Sequence, residues 1–287
     1  MTYVLMFPGQ GAQRPGMGAD WFDRFPELTE AADAVLGYSV RRLCTEDPDG
    51  LLGRTEYTQP AVYTVNALGH RVLREEHGVP DVAIGHSLGE YNALEAAGVF
   101  DFAEGLRLVA ARARAMSAVT GGGMAAVVGL DDAVLRLVLR RAGLASIEAA
   151  NFNTADQTVI AGPAADLEPA ADVARAAGAR MVRRLDVSGP FHTSHMAPAA
   201  DAFAPVLKAA ALAAPTLPVL SNRHAAPYGD DGAGIAEVLL EQIAHPVLWR
   251  QTLERLLAEG RTAFREAGDG SVLTRMLRAV RRERAAA

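Results

Sequence analysis

The residues Gly85-His86-Ser87-Leu88-Gly89 fit the pattern G-x-S-x-G, which is typical of a serine nucleophile. An apolar segment that predicts a strand precedes them, and a segment with helical spacing follows. Glycines on both sides of a serine allow the sharp strand-to-helix turn that exposes its hydroxyl group. The N–H of Leu88 would then lie at a helix N-terminus, where it can stabilise an oxyanion. The alternative is a structural role, in which Ser87 caps the helix and the glycines serve packing.

A serine nucleophile needs a base, and the sequence contains seven histidines: His70, His77, His86, His192, His195, His224 and His245. Two of them, His70 and His77, lie on or at the end of a predicted surface helix, where histidines are commonly solvated. Residues 188–196 lie where the chain passes from one predicted unit into another, so a histidine there can face the serine across a cleft. We therefore expect His192, rather than His195, to be the base. The alternative is a histidine that caps the following helix.

A third candidate, Gly9-Gln10-Gly11, follows the first predicted strand, Tyr3 to Phe7. In a parallel sheet this turn would lie beside the serine turn, because the carboxyl ends of parallel strands meet at one edge. The N–H of Gln10 would then be a second oxyanion donor, with that of Leu88. The alternative is an ordinary turn, since glycine is common after a strand.

Strands and helices alternate around these turns, which predicts a parallel sheet covered by helices. The predicted elements are strands 3–7 and 81–84, helices 59–76, 90–97 and 106–117, and later helix 197–213 and strand 218–221. A final helical region is predicted from Ile235 onward. We assign residues 1–122 and 188–287 to one large α/β domain that resembles the α/β-hydrolase fold.

The order of predicted strands and helices changes after the triplet Gly121-Gly122-Gly123. The predicted order is strand 124–128, helix 131–141, strands 146–150 and 158–161, helix 167–177 and strand 180–186. This βαββαβ order is the ferredoxin-like pattern. We therefore predict that residues 123–187 form a small ferredoxin-like subdomain that interrupts the large domain.

Composition narrows the classes of protein. The chain has 287 residues, a formal net charge of −6 and one cysteine, Cys44, so it cannot form an intramolecular disulfide. No apolar run approaches the roughly 20 residues of a membrane span, and the first residues lack the basic region of a signal peptide. Net acidity argues against nucleic acid as the main partner. We expect a cytoplasmic protein without a metal site, because no Cys, His and Asp residues cluster at ligand spacing.

Several motifs together resemble malonyl-CoA:acyl-carrier-protein transacylases, the acyltransferases of fatty acid and polyketide synthesis. These motifs are FPGQGAQ, GHSLGEYNALEAAG, LVAARARAM, NFNTADQTVIAG, SGPFHTSHM and HPVLW. The likeness runs in order from about Tyr3 to Met276 without large gaps. GHSLGEYNAL and SGPFHTSHM are most similar to the free-standing acyltransferases that serve polyketide synthases lacking an acyltransferase domain of their own.

The resemblance implies roles for the reacting groups. Ser87 matches the acylated nucleophile and His192 the general base. The main-chain amides of Gln10 and Leu88 match the oxyanion hole. Gln242 matches the residue whose main-chain carbonyl orients the histidine in place of an acid.

The resemblance also implies substrate-binding residues. Arg112 matches the arginine that binds the free carboxylate of a malonyl group; from the residues alone, a helix-surface arginine is an equal alternative. Phe191 should crowd the α-carbon of the acyl group and favour malonyl over methylmalonyl, by about 1–3 kcal/mol at most. Asn153 and Gln157 match a motif near the acyl and pantetheine channel. The residues before His192 match neither familiar specificity tetrad, so an unusual extender unit stays open.

The resemblance implies a ping-pong transfer of malonyl from coenzyme A to the phosphopantetheine thiol of an acyl carrier protein, in trans for a polyketide synthase. Alternatives are the fatty-acid-synthesis transacylase, an editing acyl-thioester hydrolase of the same fold, an α/β-hydrolase and a docking module. We expect a monomer that binds malonyl-CoA as substrate and holds no permanent cofactor. Carrier proteins are acidic, so Arg183, Arg184 and the tail Arg275–Arg284 are candidates for docking them.

Overall fold

The computed structural model describes residues 2–286, which form two four-stranded sheets and their covering helices. The strands are β1 (Val4–Phe7), β2 (Val82–Gly85), β3 (Gly122–Val128), β4 (Glu148–Thr154), β5 (Gln157–Pro163), β6 (Met181–Arg184), β7 (Val219–Leu220) and β8 (Phe264–Glu266). The helices are α1 (Ala19–Phe22), α2 (Pro26–Leu36), α3 (Val40–Thr45), α4 (Thr55–His77), α5 (Gly89–Ala96), α6 (Phe102–Ser117), α7 (Asp132–Arg141), α8 (Ala164–Ala176), α9 (Ala197–Ala209), α10 (Gly232–Ala244), α11 (Trp249–Ala258) and α12 (Val272–Ala286), with a short 3-10 helix at Ser194–Met196. The mixed α/β class is confirmed.

The first sheet is parallel throughout, in the order β7-β2-β1-β8. Its strand β1 is completely buried, because helices cover both faces. Leu5 and Phe7 pack into the larger core, whereas Val4 and Met6 pack into a second core with α11 and α12. A strand buried on both faces needs apolar residues at every position, which explains the uninterrupted apolar run.

The prediction of a purely helical region from Ile235 onward is wrong at β8. This strand has three residues and pairs in parallel with β1, between the helices α11 and α12. Its pairing partner lies at the other end of the chain, so tertiary contacts rather than local sequence stabilise it. A segment this short carries no periodicity that would distinguish it from a loop or a helix end.

The second sheet is antiparallel, in the order β4-β5-β3-β6. Its elements follow the predicted order βαββαβ. Side chains alternate along β3: Ala125 and Val127 pack against α7 and α8, whereas Met124 and Ala126 line a pocket of about 780 Å³. This pocket, called the cleft below, lies between the second sheet and the carboxyl edge of the first. The small sheet therefore forms one wall of the cleft.

The register of the parallel sheet brings the two predicted turns together. Phe7 pairs with Gly85, so the turns after β1 and β2 leave the sheet side by side. They approach so closely that a Cβ on Gly9 would overlap the carbonyl oxygen of His86. Glycine at position 9 is therefore required by main-chain contact.

The structure also bears on the predictions about membrane spans, metal sites and the single cysteine. Among residues 2–286, no helix has the length and hydropathy needed to cross a membrane. In the same range, no three His, Cys, Asp or Glu side chains are placed to hold a metal ion together. Cys44 is buried in the larger core, and burial raises the pKa of its thiol to about 12. Its thiol therefore stays protonated at neutral pH, because a buried thiolate would lose its hydration.

Candidate active site

Ser87 occupies a strained turn between β2 and α5. Its φ is +53°, in the left-handed region that few residues other than glycine adopt. A Cβ on Gly85 would overlap the main chain of Gly89, and a Cβ on Gly89 would overlap the carbonyl of Phe7. Both glycines of the G-x-S-x-G pattern are therefore required by packing, and the surrounding main chain holds the serine in this conformation.

The side chain of Asn222 bridges the two sides of this turn. Its Oδ1 accepts a hydrogen bond from the N–H of Ser87 at 2.6 Å, and its Nδ2 donates to the carbonyl of Gly85 at 2.6 Å. Asn222 follows β7, which pairs with β2 at the same edge. Sequence reasoning missed this residue; its position directly after a parallel strand was the available signal.

The Ser87 hydroxyl lies against the imidazole of His192. The distance from Oγ to Nε2 is 2.6 Å, and His192 Nδ1 lies 2.9 Å from the main-chain oxygen of Gln242. A carbonyl only accepts, so Nδ1 carries the proton and Nε2 is free to accept one from the serine. Burial and the charge of Arg112 lower the pKa of His192 to about 3, which keeps the imidazole neutral. His192 also has a strained φ of +61°.

Gln242 contributes its side chain as well as its carbonyl group. Its Nε2 donates to the carbonyl of Ser87 and to the carboxylate of Glu90, both at 2.9 Å. Its Oε1 accepts from Arg112 at 2.8 Å. Gln242 thus connects the serine turn and the guanidinium through its side chain, and the imidazole through its main-chain carbonyl group.

Arg112 is fully buried in α6, at 0% exposure, and does not lie on the helix surface. Its Nη2 donates to Ser87 Oγ at 3.1 Å as well as to Gln242, and its Nη1 donates to Gln59 Oε1 at 2.7 Å. The guanidinium carbon lies 5.5 Å from the centre of the Tyr91 ring. The cation therefore points at the Ser87 hydroxyl, held by neutral acceptors and an aromatic face.

Two main-chain N–H groups lie in the cleft beside the serine. Gln10 and Leu88 both line the cleft with Ser87. Within residues 2–286, neither N–H donates to another protein group. The Gln10 side chain donates to Thr55 Oγ1 at 3.1 Å, which holds its turn in place. Two unengaged donors near a nucleophile can bind a carbonyl oxygen as it becomes negative.

The other predicted substrate residues also line the cleft. Phe191 is buried in its wall, directly before His192. Asn153 and Gln157 reach it from β4 and β5. His86 Nε2 lies 2.9 Å from Asn153 Oδ1, and Asn153 Nδ2 donates to Gln157 Oε1 at 3.0 Å. This chain of hydrogen bonds links the serine turn to the small sheet.

Two other histidines lie away from the nucleophile. His195 Nε2 donates to the carbonyl of Ser146 at 2.8 Å, on the side of the small sheet. The prediction that His70 is solvated is wrong: it is 2% exposed and packs edge-on against Phe7. Burial lowers the pKa of His70 to about 3. The helix α4 is buried over most of its length, which the sequence pattern did not indicate.

Comparison with known proteins identifies the family. The family described as "Acyl transferase domain" matches residues 2–286. The polyketide biosynthesis malonyl CoA-acyl carrier protein transacylase BaeC of Bacillus velezensis is 45% identical over 285 residues, which cover 99% of this chain and 97% of that protein. This chain belongs to the malonyl-CoA:acyl-carrier-protein transacylase family.

Solved structures of other family members have the same fold as this transacylase. A malonyl CoA-acyl carrier protein transacylase from Burkholderia pseudomallei superposes with a TM-score of 0.94 at 47% identity, covering 99% of both chains. A structure described as a type II PKS acyl-carrier protein in complex with its malonyl-transacylase gives 0.92 at 35% identity, covering 98% of this chain and 93% of that one. The predicted family is confirmed.

Exposed arginines line the outer part of the cleft of this transacylase, namely Arg180, Arg183, Arg275 and Arg282. Arg180 pairs with Asp156. Among residues 2–286 the other three make no salt bridge. The cleft of this acidic protein therefore opens through a locally positive surface.

Sequence reasoning missed Glu90, which lies in the first turn of α5 at 0% exposure. Its carboxylate accepts hydrogen bonds from Gln242 Nε2, from the N–H of Asn222 at 3.1 Å and from the hydroxyl of Tyr228. Burial raises the pKa of Glu90 to about 7, because these donors and the charge of Arg112 offset only part of the lost hydration. The available signal was an acidic residue directly after the G-x-S-x-G pattern.

Proposed function

We propose that this chain transfers a malonyl group from coenzyme A to the phosphopantetheine thiol of an acyl carrier protein through an ester on Ser87. The observation that carries the proposal is the position of Ser87 Oγ, 2.6 Å from His192 Nε2 and 3.1 Å from Arg112 Nη2. A nucleophile, a base and a carboxylate-binding cation thus meet at one oxygen atom. This combination suits an acyl group that carries its own negative charge.

In the first half-reaction, His192 Nε2 takes the hydroxyl proton as Ser87 Oγ attacks the carbonyl carbon of the thioester. The carbonyl oxygen becomes negative and is bound by the N–H groups of Gln10 and Leu88. When this intermediate collapses, the carbon–sulfur bond breaks. Coenzyme A leaves as the thiol after taking the proton from His192, and the malonyl ester remains.

In the proposed reaction, the malonyl carboxylate binds the guanidinium of Arg112. Arginine can hold a carboxylate with two parallel hydrogen bonds, which fixes the thioester carbonyl over Ser87. Because the charge of Arg112 is one cause of the low pKa of His192, a carboxylate on Arg112 also makes His192 a stronger base. An acetyl group brings neither effect.

In the second half-reaction, the pantetheine thiol gives its proton to His192 and attacks the ester carbonyl. The bond to Ser87 Oγ breaks, and the oxygen regains the proton from His192. Asn153, Gln157 and Phe191 line the cleft through which the acyl and pantetheine chains would reach the serine. Enclosure between the two sheets would limit hydrolysis of the ester.

An acidic acyl carrier protein is the proposed acceptor, and a solved relative is a complex of such a pair. Arg183, Arg275 and Arg282 line the cleft and are available for phosphate groups and acidic side chains. Arg184, the next residue of β6, does not line it. We therefore place docking on the cleft-facing arginines.

Several finer assignments belong to the same proposal. Service to a polyketide synthase in trans is supported by full-length similarity to BaeC, with fatty acid synthesis as the alternative. An editing hydrolase is less well supported, because Arg112 would have no carboxylate to bind. We propose a cytoplasmic monomer, with residues 123–187 as the subdomain and residues 1–122 and 188–287 as the large domain.

The test is acylation of the purified protein by malonyl-, methylmalonyl- or acetyl-CoA, followed by intact-mass measurement. Malonyl-CoA should add one malonyl group, and Ser87→Ala should abolish the addition. Arg112→Ala should depress malonyl loading and improve acetyl loading, whereas Arg114→Ala, an exposed arginine on the same helix, should change neither. Release of free malonate with no transfer to a carrier protein would instead show a hydrolase.

A further inference from the structure

Glu90 is a buried carboxylate that the proposed reaction does not use. It lies behind Ser87, in the first turn of α5, and its three hydrogen-bond donors come from α10, from the end of β7 and from the loop before α10. A buried carboxylate that keeps its charge needs a compensating cation. The nearby cation is Arg112, whose charge favours the ionised form of Glu90.

The link between the two charges is the side-chain amide of Gln242. Glu90 Oε2 accepts from Gln242 Nε2 at 2.9 Å, and Gln242 Oε1 accepts from Arg112 Nη2 at 2.8 Å. Two groups favour the charged form of Arg112, namely Tyr91 and Glu90, and of these Glu90 is the carboxyl group. In the unacylated protein, Glu90 is thus the anion that balances a fully buried guanidinium.

We propose that Glu90 is the resting counter-charge of Arg112 and that a malonyl carboxylate replaces it, so that Glu90 takes up one proton from solution when the malonyl group binds. This inference rests on the proposed function, because it requires a carboxylate on the acyl group. The charge balance is the same before and after: one guanidinium faces one ionised carboxylate in each state. With an acetyl group, Glu90 stays ionised.

The electrostatics of the site favour this exchange. Two carboxylates near one buried cation repel each other, and the group with the less favourable surroundings takes the proton. The charged and titratable groups that face Glu90 are Arg112 from α6, Tyr228 from the loop after β7 and Tyr91 from its own helix. The pKa of Glu90, already raised to about 7, rises further when a second anion arrives.

The hydrogen bonds around Glu90 tolerate its protonation. One carboxylate oxygen accepts from both Gln242 and Asn222 and can keep both bonds. The other lies against the Tyr228 hydroxyl, whose oxygen can reverse its role and accept a hydrogen bond from the protonated carboxyl group. Glutamine at position 90 reproduces the protonated state, with its amide nitrogen donating to Tyr228.

The inference predicts a pH dependence of malonyl loading that acetyl loading does not share. Proton uptake on binding means that malonyl loading weakens relative to acetyl loading as pH rises above the resting pKa of Glu90. The slope is about tenfold per pH unit until the pKa of the malonyl-bound state is reached. Below the resting pKa, Glu90 is already protonated and the ratio is constant. Titration of His192 affects both acyl groups and cancels in the ratio.

The experiment measures kcat/KM for acylation of the full chain by malonyl-CoA and acetyl-CoA, from about pH 6 to about pH 9. The malonyl-to-acetyl ratio of the unchanged protein should be level at low pH and fall about tenfold per unit above about pH 7. Glu90→Gln should hold the ratio at its low-pH value throughout. A ratio that stays level in the unchanged protein, or falls equally in Glu90→Gln, overturns the inference.

Two further variants keep the test decisive if Glu90→Gln does not fold. Tyr228→Phe removes a donor to the ionised carboxylate, so the fall should begin at higher pH; an unshifted profile counts against the inference. Arg112→Ala removes the cation for which the carboxylates compete, so its lower ratio should no longer depend on pH. Absence of any malonyl ester in the unchanged protein at every pH would mean that the proposed function fails, which is a distinct result.

Discussion

The carboxyl edge of the parallel sheet and the cleft-facing side of the small sheet differ in how their polar groups are held. At the parallel edge, Ser87, His192, Arg112, Glu90 and Gln242 bond one another, and all but the partly exposed Ser87 are buried. Two of them, Ser87 and His192, have strained main chains. The small sheet presents apolar side chains such as Met124 and Val159 to the cleft beside polar ones, among which Asn153 and Gln157 are bonded to each other. The contrast teaches that one region fixes reacting groups while the other shapes the space for the substrate.

The largest expected effect comes from removing the base. His192→Ala should slow acylation by malonyl-CoA by about 10²–10⁴-fold, because among residues 2–286 the other side-chain partner of the serine oxygen is Arg112, which only donates. His195→Ala is the matched control, since His195 bonds the small-sheet side at Ser146. Single-turnover loading followed by intact-mass measurement gives both rates. Equal losses of acylation rate in the two variants would contradict the view that the reacting groups lie at the parallel edge.

The next effect concerns stability. Asn222→Ala leaves the N–H of Ser87 and the carbonyl of Gly85 without their partner, and should lower the free energy of unfolding by about 2 kcal/mol or more. Asn153→Ala removes hydrogen bonds between side chains in the cleft and should cost less than about 1 kcal/mol. Urea unfolding measures both. A larger loss for Asn153→Ala would contradict the view that the parallel edge is the tightly fixed region.

A smaller effect is expected in the pH profile. Because the pKa of His192 is lowered to about 3, kcat/KM for acetyl-CoA loading should not fall between about pH 7.5 and about pH 5.5 through protonation of this base. An ordinary histidine would lose about tenfold over this range. Arg112→Ala removes one cause of the shift, so the loss at low pH should begin at higher pH than in the unchanged protein. Arg114→Ala should leave the profile as it is.

The smallest expected effect lies where the two regions meet. Phe191→Ala enlarges the cleft wall beside His192 and should raise the ratio of methylmalonyl to malonyl loading by about tenfold or less, because removing one wall residue recovers only part of the about 1–3 kcal/mol that one methyl group is worth. Acetyl loading serves as the internal reference. A collapse of all three rates would mean that Phe191 holds the base in place and does not select the acyl group.

The features that the sequence predicted best are those that depend on neighbouring residues or on the order of elements along the chain. The turn at Ser87 shows itself through two glycines between a strand and a helix, and alternating elements are enough to indicate a parallel sheet. The βαββαβ order also follows from consecutive segments. His192 was predicted from its position directly after the last strand of the βαββαβ unit, where a histidine can face the cleft.

Other parts of the site depend on contacts between distant segments. Arg112 lies on an amphipathic helix where a buried and an exposed arginine look alike, so the family resemblance was needed to single it out. Glu90 and Asn222 become part of the site only when β7 and α10 pack beside β2 and α5. The short strand β8 and the burial of His70 have the same cause, since both arise from tertiary packing.

The crowding at Gly85 and Gly89 means that the G-x-S-x-G pattern contains residues required by the fold as well as a residue required by the chemistry. Even alanine at either position would collide with backbone atoms, whether or not the serine reacts. A relative that had lost its nucleophile would therefore still keep both glycines as long as it kept this fold. The two glycines therefore indicate that the close contact of strand and helix is preserved, and only the serine at the centre of the pattern indicates whether the chemistry remains.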